Sequence, residues 1–288
     1  MADLDERAVF RAHAAEGVLL LGGGAAILLQ LADARVAHGV ARHSDFAERP
    51  FDRLFGTLDY VYAIGFGDAD IADEAVRRVN ARHVPVRGML DAPASTPASS
   101  DRVQEAADDA VRYSAFDADA QRWVASTLLA VALEVHERVW GPLDAVRADA
   151  IVRGYAPLGF SLQGARQGWP TTRAEFDAWW EARLATLRVG EQARSVARTL
   201  LGASSALPPG VGLLLPPVRL MTAALLPPAI RDAFGFRWTP RAARAAEAWL
   251  GGVAWLWPRL PRRVRDAPMR HSLRRARRRY AERERQGR

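Results

Sequence analysis

The sequence predicts an all-α protein, a single large multi-helix globular domain. Three observations predict it. Apolar residues recur at helical spacing along almost the whole chain, and the period-two alternation of β-branched residues that marks strands is nearly absent. Of the 288 residues, 49% are apolar and 25% charged, the balance of a folded chain and not of a disordered one. A chain of this length also has enough residues to bury a large core.

The elements follow in order. Residues 25–42 place Ile27, Leu28, Leu31 and Val36 on roughly one side and predict one helix. Ser44 and Asp45 offer caps for the next, which begins near Pro50 and runs to about Gly65. Asp68 opens another that extends to about Arg87, with Ile71, Ala75, Val79 and Arg82 stacked at helical intervals. Residues 91–100, DAPASTPASS, read as a loop. Asp117 caps a long helix carrying Trp123, Leu128, Val131 and Val135, and Gly141-Pro142 stops it. Thr172 and Glu175 form a capping box for a helix bearing Phe176, Trp179 and Trp180. Pro-Pro pairs starting at 208, 216 and 227 divide the C-terminal part into shorter helices. The loop at 91–100 joins helices of similar character, so residues 1–258 are expected to form one domain, followed by an Arg-rich helical tail over 259–288.

Composition removes several chemistries. There is no cysteine, hence no disulfide, iron–sulfur cluster, thiolate-ligated haem or cysteine nucleophile. Any redox metal has to be held by His, carboxylate, Met or Tyr. All 40 basic residues are Arg, which excludes Schiff-base lysines and the P-loop lysine. The charge is uneven. Residues 259–288 carry thirteen arginines against Asp266, Glu282 and Glu284, a net +10, so the rest of the chain sums to −3 within the total of +7. Such a tail can meet anionic lipid or nucleic acid, or can be a solvated helix with Arg on its outer face. The N-terminus opens acidic, with Asp3, Asp5 and Glu6, and no basic segment precedes an apolar run as in a signal peptide. Gly17 to Ala32 is short for a membrane span. The apolar stretch 207–226 is interrupted by four prolines and Arg219. The expectation is a cytoplasmic protein, with peripheral membrane contact open to the tail.

Gly22-Gly23-Gly24 fails the dinucleotide fingerprint, because Ile27 stands where the third glycine would fall and no strand precedes it. Close packing of a helix start is the better account. No two of the six histidines have a metalloprotease or di-iron spacing, and His38 and His43, five apart, match one ligand face poorly. His83 stands out by its surroundings. It lies late in a helix, after Val79 and before Val84 and Val86, flanked by Arg82 and Arg87. A single imidazole on an apolar face suits a haem's fifth ligand, with Arg for the propionates. A His⁺ satisfying carbonyls at a helix C-terminus is equally sound. Arg53 and Thr57, spaced i, i+4, share a helix face and can grip a propionate, or serve as a cap-and-solvent pair. Asp45, Arg49 and Asp52 beside them suggest a local ion network.

The order of segments resembles the MpaB-type oxygenases, which share a domain with the latex-clearing, rubber-cleaving oxygenases. The stretches that carry it are GGGAAILLQLA (22–32), HGVARHSDF (38–46), RPFDRLFGTLDYVYAIGFGD (49–68), RRVNARHVPVRG (77–88) and YSAFDADAQRWVASTLL (113–129). Further on come ERVWGPL (137–143), FDAWWEARL (176–184) and LLPPAIRDAFGFRW (225–238). The resemblance implies an all-helical fold enclosing one b-type haem. Its axial ligand falls on His83 within the pattern V-x-x-x-H-x-x-V-R, and the helix before it brings Arg53 and Thr57 near the cofactor, with Arg87 as a further orienting residue. Gly56 stands where rubber-cleaving relatives place a lysine, which implies an open sixth position. Two family histidines are missing: Ala125 replaces the one in W-V-H-A-T-L, and Asp33 the one in L-A-H-P. The function so implied is a haem b-dependent oxygenase using O₂ on an unsaturated, isoprenoid-like hydrophobic molecule, including oxidative C=C cleavage. The alternative is a non-catalytic helical protein that docks on anionic membranes through its tail. Specific nucleic-acid binding is disfavoured, since Tyr280 alone in the tail could stack on bases.

Overall fold

In the computed structural model, residues 5–43, 50–90, 112–163, 168–202 and 211–286 are described, with the backbone alone at 50–54, 211, 214 and 286. The loop expected at 91–100, the caps expected at Ser44 and Asp45 and the Pro208 pair lie outside them. The described chain is helical almost throughout. In order it forms α1 (Glu6–Ala14), α2 (Gly23–Leu31), α3 (Ala34–His43), α4 (Pro50–Phe66), α5 (Ala69–His83), α6 (Ala118–Trp140), α7 (Ala145–Phe160), α8 (Arg173–Thr186) and α9 (Glu191–Leu201). The C-terminal part adds α10 (Leu215–Leu225), α11 (Pro228–Ala233), α12 (Pro240–Leu256), the short α13 (Arg262–Arg265) and α14 (Ala267–Gln286). Three 3₁₀ turns, Gly17–Gly22, Val211–Leu214 and Trp257–Arg259, join them, and one antiparallel pair, β1 (Arg87–Met89) with β2 (Arg112–Ser114), lies between α5 and α6.

Several boundaries have a plain chemical cause. Asp117 accepts the Ala120 N–H and starts α6, while Gly141, at φ 87°, ends it. The single helix expected over 25–42 is two, because Asp33 breaks it: its carboxylate accepts the Arg35 N–H (2.9 Å) and caps α3 anew. The helix expected to reach Arg87 stops at His83. Pro85 cannot continue it, and residues 87–89 pair instead with 112–114. Thr172 accepts the Glu175 N–H as the capping box requires, but Glu175 reaches back to the N–H of Thr171 (2.8 Å). Pro216 and Pro217 sit inside the first turn of α10, where their missing N–H groups cost nothing, and Pro227 caps α11.

α2 is the centre of one core, against which α3, α6, α9 and α10 pack. Its start explains the triglycine. A Cβ at Gly22 would lie 2.0 Å from Val131 Cγ1, and one at Gly24 would lie 2.1 Å from Thr222 Oγ1, so only glycine lets α6 and α10 approach. Trp123, fully buried, stacks on Trp180 (5.0 Å, 16°) and donates its indole N–H to the Leu29 carbonyl. A second core joins α1, α6, α7 and the inner face of α4 around Leu129, Leu133, Ile151 and Phe176.

The Arg-rich tail is part of this body. α14 lies along α4 and α5. Arg275 and Arg279 bind the buried Asp59 of α4, Arg283 binds Glu74 of α5, and Arg275 also sits over the Phe55 ring (4.9 Å). Arg274, Arg277, Arg278 and Arg285 face solvent. Among the described residues no single helix is long and apolar enough to cross a membrane. The bent pair of α1 with the segment Gly17–Leu31 passes on length and composition, and most of α2 is core.

Candidate active site

α5 delivers His83 as its last residue. Asp68 starts the helix by accepting the Ile71 N–H (3.1 Å), and past its end the Val86 N–H folds back onto the His83 carbonyl (2.9 Å) to lead into β1. The imidazole is half-buried, its Nδ1 screened from solvent, and its ring meets Phe116 edge-on (6.3 Å, 82°). A polar brace fixes this corner. The Gln121 side-chain amide of α6 donates to the Ala115 carbonyl and to Gln163 Oε1, both at 2.7 Å, and its Oε1 accepts the Gln163 N–H at 2.9 Å. The Gln163 amide then donates to Asn80 Oδ1 (3.0 Å), one turn before His83 on α5. The end of α5 is thereby tied to α6 and to the segment following α7.

The other expected site residues are placed less tightly. Thr57 on α4 and Arg87 on β1 are exposed, and no hydrogen bond among the described residues joins either to His83. Arg53 lies in the first turns of α4, and its side chain falls outside the described residues, as do those of Asp45, Arg49 and Asp52. Gly56 faces α5: a Cβ there would lie 3.0 Å from Arg82 Nη1. Beside it α4, α5 and α14 border a half-open cavity of about 40 Å³ lined by Asp59, Tyr60, Arg78, Val79, Arg82 and Arg279 among others. Neither Arg78 nor Arg82 is paired with a carboxylate at contact distance among the described residues. Burial, with the neighbouring Arg279 and Arg82, pulls the Arg78 guanidinium below its ordinary value.

This donor set bears on the expected haem. Among the described residues no three His, Asp or Glu side chains converge on one point, so a bare ion has no cage there. A lone imidazole suffices only where the remaining ligands come with the group, as the porphyrin nitrogens do. Unpaired guanidinium groups on the same helix match carboxylate arms. The residue types therefore suit the group, although His83 does not line the cavity that Arg78 and Arg82 border. The cavity holds about one water, against roughly 300 Å³ or more for a cofactor cleft. A porphyrin would require α4 and α5 to part.

Two clusters were not legible as such in the sequence. Tyr113 on β2 is buried and its hydroxyl meets His43 Nε2 (3.1 Å), while His38, also buried, donates from Nδ1 to the Ala34 carbonyl (2.8 Å) with its ring 6.3 Å from Tyr113. A Cβ at Gly88 would lie 2.7 Å from that hydroxyl, so Gly88 is what admits Tyr113. Three-residue strands separated by 22 residues leave no alternation to detect. In the second cluster His13 of α1 and His136 of α6 share a hydrogen bond between Nδ1 atoms (3.1 Å), with Trp140 against the His136 ring (4.8 Å). Burial, reinforced by His136, pushes His13 down to about 3.

The comparisons with known proteins decide the family. The family described as "ER-bound oxygenase mpaB/B'/Rubber oxygenase, catalytic domain" matches residues 10–255. The chain belongs to this family. Two relatives are uncharacterized proteins of Mycobacterium bovis and Mycobacterium tuberculosis, each 29% identical over 239 residues, covering 81% of this chain and 86% of the relative. No solved structure matches the chain. This member of the MpaB/rubber-oxygenase family uses both of its departures structurally. Asp33 is buried and binds Arg35 (2.7 Å) and Arg183 (2.6 Å), which also reach Asp119. Burial alone would raise its carboxyl, but the hydrogen bonds and charge of Arg35, with the charge of Arg183, outweigh this and hold it low. Ala125 is buried where α6 crosses α7, 3.5 Å from the position of a Cβ on Gly159.

Proposed function

We propose that this oxygenase-family chain is a haem b-dependent oxygenase acting with O₂ on an unsaturated, isoprenoid-like hydrophobic molecule, with His83 as the axial ligand. The observation that supports the reading is the single imidazole at the braced end of α5, with Arg78 and Arg82 on the same helix, in a chain of an oxygenase family. The haem would supply iron for O₂ chemistry when bound. His83 would hold it through one ring nitrogen, and the brace Asn80–Gln163–Gln121 ties down the end of α5 that carries the residue. Arg78 and Arg82, with Arg53, Thr57 and Arg87, would be the cationic and hydroxyl partners for propionates. Gly56, where rubber-cleaving relatives place a lysine, offers no side chain as a further ligand. Localisation in the cytoplasm is part of the same proposal.

The test is oxygen uptake by the full chain purified with haem supplied, given a short polyisoprene or squalene. Consumption above that of free haem, with carbonyl products trapped by a hydrazine reagent, is expected. Tight haem binding with no uptake on any alkene would overturn the assigned activity.

A further inference from the structure

α12 is an ordinary amphipathic helix on its inner face and an unusual one on its outer face. Ala246, Leu250, Val253 and then Trp257 form the inward stripe, and Trp257 is pinned by donating its indole N–H to Glu16 Oε2 (2.8 Å). Arg265 binds the same carboxylate (2.9 Å), so the turn from α12 through α13 is anchored to the body at Glu16. The opposite face should carry charge on a surface helix. Here residues 248–258, AWLGGVAWLWP, hold no ionisable group at all. Trp249, Trp255 and Leu256 point outward with 43%, 64% and 50% of their surface exposed, and Val264 on α13 follows at 50%. Gly251 and Gly252 lie open between them, with nothing within 4 Å of an added Cβ. Trp257 turned in and Trp255 turned out, two residues apart, show that the outer tryptophan is not a failed core residue.

The rim of this face is basic. Arg259 lies over the Trp255 ring (4.8 Å). Arg262 and Arg263 are exposed and have no ion-pair partner among the described residues. The acid groups close by are engaged: Glu247 with Arg138, Asp266 with Arg270 and Glu16 with Arg265. Exposed tryptophan and leucine beside unpaired arginine is the chemistry of a lipid–water boundary. The indoles seat at headgroup level, the aliphatic side chain enters the acyl region, and guanidinium meets phosphate. A continuous apolar patch on a soluble monomer marks an interaction site, and the Arg rim selects an anionic occupant.

We infer that the outer face of α12 and the turn through α13 form an interfacial docking site for an anionic lipid surface, engaged without any membrane-crossing helix. The site is distinct from α14, whose Arg275, Arg279 and Arg283 are spent inside the fold. Most of α12 falls within the family match, which ends at residue 255, and the turn through α13 lies beyond it; the proposal stands whether or not the haem assignment holds.

The full chain is mixed with phosphatidylcholine vesicles with and without phosphatidylglycerol, and co-sedimentation is read together with tryptophan emission. Binding to the anionic vesicles with a blue shift is expected, weakened by salt. The double substitution Trp255→Ser with Leu256→Ser, at exposed positions, should weaken partitioning about tenfold or more. Arg262→Gln with Arg263→Gln should weaken it by roughly fivefold per charge on anionic vesicles only. Arg274→Gln, Arg277→Gln and Arg278→Gln together, on the outer face of α14, should leave it unchanged. Absence of binding, equal binding by the Trp255/Leu256 variant, or loss confined to the α14 variant overturns the proposal. Concentration-dependent dimerisation abolished by Trp255→Ser, with no vesicle binding, would assign the face to a second copy and equally overturn it.

Discussion

Ala125 brings its methyl group against the backbone of Gly159, and Trp169 covers the same spot while donating its indole N–H to the Val152 carbonyl (2.9 Å). The sequence marks Ala125 as a lost family histidine; the structure shows that the space for an imidazole is filled. Ala125→His is therefore expected to overpack the α6–α7 crossing and to destabilise the protein by about 1–3 kcal/mol, visible as a lower urea midpoint. An unchanged midpoint would mean a cavity accepts the ring. The buried histidine pair makes a prediction about pH. His13 is held to about 3 when folded and is pulled lower still from its ordinary value by burial than its partner. An imidazole whose folded value lies below its unfolded one binds its proton more readily unfolded. Its contribution is whole above pH ~6.5 and is lost as pH falls toward 3, at up to about 1.4 kcal/mol per pH unit per group. Melting temperature should drop between pH 7.5 and 5, and His13→Gln should flatten that drop. A wild-type melting temperature constant over this range would contradict the pairing. No sequence feature pairs His13 with His136, since 123 residues separate them.

At the scale of elements, what was legible depended on local chemistry. The caps at Asp68, Asp117 and Thr172 are short-range hydrogen bonds, so the helices they start could be read directly. The break at Asp33 could not, because helical spacing of apolar residues continues through it and only the side chain's turn onto Arg35 interrupts the ladder. The β1–β2 pair was invisible for a different reason: three-residue strands gain their stability from the Tyr113 side chain under Gly88, a contact between distant segments. The tail was legible in its helix and its charge, but not in its partners. Asp59 binds two arginines of α14 from a buried position on α4. Asp59→Ala should loosen α14 and cost about 1–2 kcal/mol, since the arginines can reach solvent once released. Faster amide exchange over 267–286 in that variant is the check. Unaltered exchange there would show that the ion pairs do not hold the helix.

For the whole molecule, the family's helical frame places one half-buried imidazole at the end of α5. α5 presents His83, α4 presents a bare Gly56, α6 and the end of α7 brace the corner through Gln121 and Gln163, and α14 covers the outer side of α4 and α5. His83 was singled out in sequence by a local pattern, one imidazole late in a helix, and its role as a ligand belongs to the proposal. The brace was not, since Asn80, Gln121 and Gln163 carry no motif and acquire their role only where α5, α6 and the segment following α7 meet. The exposed positions of Thr57 and Arg87 make His83 the residue on which cofactor binding should depend most. The decisive measurement is the absorption spectrum of the full chain purified with haem supplied, wild type beside His83→Ala, with His13→Ala as the control for loss of another buried imidazole. A Soret band in the wild type and in His13→Ala, lost in His83→Ala and restored by added imidazole, is the expected result. A wild type without the band, or an identical band in His83→Ala, would contradict the assignment of His83 as the ligand.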